Sequence, residues 1–134
     1  QAEGPVKLEQ AAGSELSARY PVIIKEGVIS FRPLFEGLLN DWASGVSVGD
    51  LAARFHNTMA FLLLDEAACH LQQTGATRVV ISGGCFQNKS LTEQLQRLFA
   101  AKGIPLYVPV RIPCNDGGVA VGQLAIAASR NKKD

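Results

Sequence analysis

Between Ser47 and Gly75 the apolar residues Val48, Leu51, Ala52, Phe55, Met59, Leu62 and Leu63 recur every three or four positions. That rhythm predicts one long amphipathic helix over 48–73, about 40 Å in length at 1.5 Å per residue. Ser47-Val48-Gly49-Asp50 fits a capping box at its start, and Gly75 is placed to end it. Upstream the pattern is different. Val22, Ile23 and Ile24, the turn Lys25-Glu26-Gly27, then Val28, Ile29 and Phe31 predict a β-hairpin over Tyr20–Phe31. Pro33 suits the first turn of a following helix that carries Leu34, Leu38 and Trp42 and stops at Gly45. Residues 1–19 read as a further helix, with Val6, Leu8, Ala11 and Ala12 on its apolar side.

Downstream, Val79, Val80 and Ile81 form a β-branched run, the mark of a strand buried on both faces. Ser82, Gly83 and Gly84 break it, Asn88 stands as a helix N-cap, and 89–102 is amphipathic with Leu91, Leu95, Leu98 and Phe99 on one side. Gly103 closes that helix, and Ile104 to Val110 is a second strand, interrupted near its ends by Pro105 and Pro109. Strand, helix, strand in this space is a βαβ unit, so the two strands are expected to be parallel with a right-handed crossover. A turn at Cys114-Asn115-Asp116-Gly117-Gly118 then leads into a last helix with Val119, Val121, Leu124 and Ile126. The expected fold is an α/β domain with a mixed sheet, the hairpin at one side and helices on both faces.

Two Gly-Gly turns thus follow two parallel strands, and both lie at the edge where open α/β folds bind ligands. Backbone N–H groups at such a turn hold anions well, which points to a phosphate or nucleotide. The plainer alternative is a tight turn that needs glycine for packing alone. Neither turn is a P-loop, since no Lys-Ser/Thr follows, and neither has the G-x-G-x-x-G spacing. Asp116 allows two roles: N-cap of the last helix, or an oxygen ligand to a metal beside the nucleotide site. His56 and His70 both fall on the long helix at a spacing unsuited to chelation and read as structural or surface residues. Asn57 and Glu66 read as solvated or capping.

Composition narrows the setting. The 134 residues are 47% hydrophobic and 19% charged, as in a globular domain, and the net charge of +1 gives no reason to expect nucleic acid or an anionic membrane as partner. Only Arg130 to Asp134 resembles a solvated charged tail, and no apolar run is long enough to span a membrane or opens the chain as a secretion signal. Cys69, Cys85 and Cys114 are odd in number and widely spaced, which speaks against a disulfide framework and fits a reducing compartment. The start at Gln1, in mid-pattern, suggests a piece of a longer chain.

Three segments are specific together: Phe55-His56-Asn57-Thr58-Met59-Ala60, Ile81-Ser82-Gly83-Gly84-Cys85-Phe86-Gln87-Asn88, and Pro113-Cys114-Asn115-Asp116-Gly117-Gly118-Val119-Ala120-Val121-Gly122-Gln123. They resemble the C-terminal end of the hydrogenase maturation carbamoyltransferases, the HypF family. The last domain of that family is similar to the tRNA threonylcarbamoyl-adenosine synthase and belongs to the actin-like ATPase superfamily. The resemblance implies half of an actin-like domain, its second lobe, in a cytoplasmic enzyme. Such an enzyme turns carbamoyl phosphate and ATP into carbamoyl-adenylate and passes the carbamoyl group to the C-terminal cysteine of a HypE-like partner. It implies that Gly83 and Gly84 line the nucleotide phosphates, that Asn88 contacts the nucleoside, and that Glu9 contacts ribose or adenine. It makes Asp116 a ligand to a divalent metal (Zn, Fe or Mg) shared with a His-x-x-x-His motif, which this sequence does not contain. Two other readings remain: a lobe of another actin-like phosphotransferase, of sugar or acetate kinase type, and a non-catalytic interaction domain of the same fold.

Overall fold

In the computed structural model, which describes Gly4, Val6, Lys7, Gln10 and residues 18–131, the hairpin closes where the sequence places it. Strands β1 (Ile23–Lys25) and β2 (Val28–Ser30) pair antiparallel, with Ile24 opposite Ile29. Glu26 and Gly27 between them have φ of 53° and 77°, the positive values a two-residue type I′ turn requires. Of the helix expected over 1–19, the described positions Gly4, Val6, Lys7 and Gln10 are helical, whereas Ala18 and Arg19 are not.

Helix α1 (Arg32–Ala43) has Pro33 in its first turn and buries Leu34 completely, while Trp42 lies exposed. Gly45, at φ 80°, turns the chain out of it. Helix α2 (Val48–Thr74) is unbroken. Ser47 Oγ accepts from the Asp50 amide at 3.1 Å and donates to Asp50 Oδ2 at 2.7 Å, so the acid of the capping box grips the hydroxyl. At the other end Gly75, φ 70°, caps it, its backbone N–H donating a hydrogen bond to the Leu71 carbonyl.

Strand β3 (Val79–Val80) pairs parallel with β4 (Leu106–Tyr107), and helix α3 (Lys89–Ala101) crosses between them. The ladder extends beyond the assigned strands: Val79 N–H donates to Pro105 O at 2.9 Å and Ile81 N–H to Tyr107 O at 3.1 Å. The core lies between α2 and α3, where Ala60 and Leu64 meet Leu91, Leu95 and Phe99. Val79 and Leu106 pack against that cluster.

Two expectations change. Val80 is 66% exposed and its partner Tyr107 53%, so β3 is not buried on both faces among the described residues. A short apolar run has the same sequence whether one face or both are covered. Among the described residues the strands also form two separate pairs, β1 with β2 and β3 with β4, rather than one continuous mixed sheet. Helix α4 (Val119–Arg130) closes the described chain and buries no residue, with Leu124 at 70% exposure.

Candidate functional site

The two glycine turns meet. Past β3, Gly83 takes φ 108°, a conformation that L side chains rarely adopt, and its amide donates to the carbonyl of Cys114 in the second turn. A short 3-10 helix, Gly84–Gln87, follows, held by Phe86 N–H to Gly83 O at 3.1 Å and by Thr92 Oγ1 to Phe86 O at 3.0 Å. Among the described residues the exposed amides of Gly84 and Cys85 have no hydrogen-bond partner. Successive free N–H groups at the mouth of a turn form an anion-binding concavity. A depression of about 290 Å³ lies alongside, with Ser82 on one wall and Pro113, Asn115 and Gly118 on the other.

The glycines have different reasons to be glycine. A Cβ on Gly118 would stand 2.5 Å from the Pro113 carbonyl oxygen, and one on Gly117 would stand 3.1 Å from Asn115 Oδ1. Gly118 therefore serves close packing, the plainer alternative raised by the sequence. Gly83 is accounted for by its positive φ. A Cβ on Gly84 would meet nothing within 4 Å, and its φ is not positive. Neither packing nor backbone geometry accounts for that glycine, and its open side leaves room for a ligand to approach its amide.

Asn88 ends the turn and caps α3, its Oδ1 accepting from Leu91 N–H at 2.8 Å. Its amide nitrogen lies 2.9 Å from Nε2 of His56, which is buried on α2 at 5% exposure. His56 Nδ1 is 2.8 Å from the carbonyl of Ala52, one turn back. Next along α2, Asn57 accepts from Gln94 Nε2 of α3 and donates to Ala18 O at 3.3 Å. Asn57 is thus buried, 3% exposed, and not solvated. Helical spacing puts it on the same side as the core residues Ala53, Ala60 and Leu64.

Asp116 begins a second 3-10 turn, Asp116–Gly118, and lies exposed. It does not cap α4: Gly118 occupies the N-cap position with no side-chain bond, and Asn115 Oδ1 takes the Gly117 amide at 3.0 Å instead. The Asp116 carboxylate makes no hydrogen bond among the described residues. As an open oxygen donor it fits a hard cation, but it contributes one ligand only, because no group of three His, Cys, Asp or Glu comes together among the described residues. His70 lies exposed, 4.0 Å from Glu66. Glu9 falls outside the described residues. Sequence reading missed the polar seam of His56, Asn57 and Gln94; its signal was three consecutive polar residues, His56-Asn57-Thr58, inside the apolar stripe of α2.

Fold and site define the class: an α/β unit that presents paired turns at a single sheet edge. Residues 1–123 match the family model for the carbamoyltransferase Kae1-like domain, second subdomain, and the chain belongs to that family. It is 34% identical over 137 aligned residues to a carbamoyltransferase HypF homolog of Cupriavidus necator, covering 96% of this chain and 35% of that protein. It is 37% identical over 105 residues to the carbamoyltransferase HypF of Rhizobium leguminosarum bv. viciae, covering 78% of this chain and 13% of that one. A crystal structure of full-length HypF in its phosphate- and nucleotide-bound form superposes with a TM-score of 0.87 at 29% identity, over 95% of this chain and 17% of the other. The fold is accordingly half of an actin-like domain. The chain spans about a third of the first of these relatives and far less of the others.

Proposed function

We propose that this chain is the second lobe of a C-terminal carbamoyltransferase domain in a longer polypeptide, and that it holds the phosphates of ATP. The observation that carries the proposal is Gly84, whose missing side chain leaves its amide and that of Cys85 open beside the second turn. Both amides would donate to phosphate oxygens, and the N-terminus of α3 adds a favourable dipole. Asn88 would contribute its remaining N–H and lone pair to the nucleoside. Glu9 would contact ribose or adenine, and Asp116 would supply one oxygen ligand to a divalent metal, Zn, Fe or Mg. Such a metal, when bound, offsets negative charge on substrate oxygens. Its other ligands would come from the opposite lobe.

The reaction this reading assigns to the whole protein starts from carbamoyl phosphate and ATP and passes through carbamoyl-adenylate. The thiolate of the C-terminal cysteine of a HypE-like partner then attacks the carbamoyl carbon; a C–S bond forms, the C–O bond to AMP breaks, and AMP leaves. The relatives' names and the nucleotide-bound form of the solved HypF support it. A cytoplasmic setting goes with this chemistry, and no helix of the described residues is long and apolar enough to cross a membrane. Calorimetry with ATP on the full-length protein tests it: measurable binding that Gly84→Val abolishes is expected, because a β-branched side chain would stand where the anion approaches. Unchanged affinity in Gly84→Val would overturn it.

A further inference from the structure

We infer that His56 is a positioning residue for the nucleotide site, acting through the side-chain amide of Asn88. The inference rests on the nucleotide reading above and adds to it a residue on a different helix, buried behind the turn.

The hydrogen bonds fix one another in sequence. The Ala52 carbonyl can only accept, so His56 Nδ1 at 2.8 Å carries the proton and donates. In the neutral ring Nε2 then carries the lone pair, and the group it faces at 2.9 Å is the NH2 of Asn88, since Asn88 Oδ1 is taken by the Leu91 amide. That orientation turns Asn88 Oδ1 toward the Leu91 amide, where it caps α3 at 2.8 Å. One N–H and one lone pair of the Asn88 amide remain, in directions set from behind by His56. A polar ligand at the turn therefore meets an amide that cannot flip without losing both bonds. Preorganisation of this kind removes an ordering cost from binding. The imidazole is 5% exposed and sits beneath the turn, so it acts through Asn88 rather than on the ligand.

Two substitutions in the full-length protein separate positioning from general stability. His56→Gln places an oxygen near the position of Nε2, keeps an acceptor for Asn88 and loses the bond to Ala52. His56→Asn keeps a donor for Ala52 but does not reach Asn88. ATP affinity should stay within about threefold of wild type in His56→Gln and fall by about tenfold in His56→Asn, the scale of one lost hydrogen bond. Melting temperatures, measured in parallel, should fall for both. Placing His56→Asn in an Asn88→Ser background, which keeps a capping hydroxyl, should cost no further affinity, and this remains readable if one single variant folds poorly. Equal affinities for the two His56 variants, or a full further loss in the Asn88→Ser background, would overturn the inference while Gly84→Val still weakens binding. If Gly84→Val binds ATP as wild type does, the nucleotide reading itself fails and the inference falls with it.

Discussion

The amide of Gly83 donates to the carbonyl of Cys114, and this single bond joins the turn after β3 to the turn that precedes α4. The residues it brings together are remote in sequence but share the C-terminal edge of the parallel pair. Gly84 and Cys85 directly follow Gly83, and Asp116 lies two residues past Cys114, so this bond ties both stretches of backbone to the same edge. A site of this kind depends on backbone more than on side chains, so the substitutions that probe it best are those that add atoms.

Gly84→Ala and Gly118→Ala should separate binding from folding. A methyl on Gly84 meets nothing within 4 Å, so stability should change by less than about 0.5 kcal/mol. A methyl on Gly118 would lie 2.5 Å from the Pro113 carbonyl oxygen, and the forced shift should cost about 1–3 kcal/mol. Thermal unfolding of the two variants checks the ordering, and equal losses would remove the distinction between a packing glycine and a ligand-facing one.

The seam between α2 and α3 makes its own prediction. Gln94 is 6% exposed and donates to the buried Asn57, so Gln94→Ala removes a donor from a polar group that water reaches poorly. A loss of about 1–3 kcal/mol is expected in denaturant unfolding. A change below about 0.5 kcal/mol would mean that the bond contributes little to holding α3 on α2.

How much of this was legible beforehand depended on range. The Glu26-Gly27 turn, the Ser47 cap, the unbroken 48–74 helix and the parallel βαβ pair are local matters of period, turn chemistry and crossover length, and the sequence carries them directly. The meeting of the two glycine turns followed from the strand direction. Side-chain partners across helices did not. Nothing in Phe55-His56-Asn57-Thr58 says that His56 faces Asn88 or that Asn57 faces Gln94, because that is decided by the relative rotation of α2 and α3. The exposed face of Val80 and Tyr107 was equally hidden, since an apolar run does not state what covers it.

Tyr20 gives a pH dependence. Burial first, then the bond from its hydroxyl to Asp41 Oδ2 at 2.9 Å and the charge of Asp41, push its pKa up to about 12, partly opposed by Arg54. A raised pKa means the folded state favours the protonated phenol more than the unfolded state does. The resulting stabilisation is fully present below about pH 10 and is lost as pH rises toward 12. Tyr20→Phe should therefore flatten the decline in melting temperature over that alkaline interval. An identical decline in the variant would assign the titration to another group.

Asp116 decides whether the second turn is a ligand site or only a turn. The capping explanation is already weak, since Asn115 supplies the side-chain bond to the Gly117 amide and Gly118, not Asp116, holds the N-cap position of α4. Asp116→Asn should consequently change stability by less than about 1 kcal/mol. If Asp116 holds a metal that also meets substrate, the substitution keeps the shape of the side chain and removes its charge, so metal content and carbamoyl transfer should both fall steeply. The measurement belongs in the full-length protein, because among the described residues Asp116 has no further His, Cys, Asp or Glu group to complete a site. Metal analysis and carbamoyl transfer are the readouts, with thermal unfolding as the control. Loss of activity at unchanged stability marks Asp116 as a ligand; retention of both metal and turnover leaves it as an exposed turn residue.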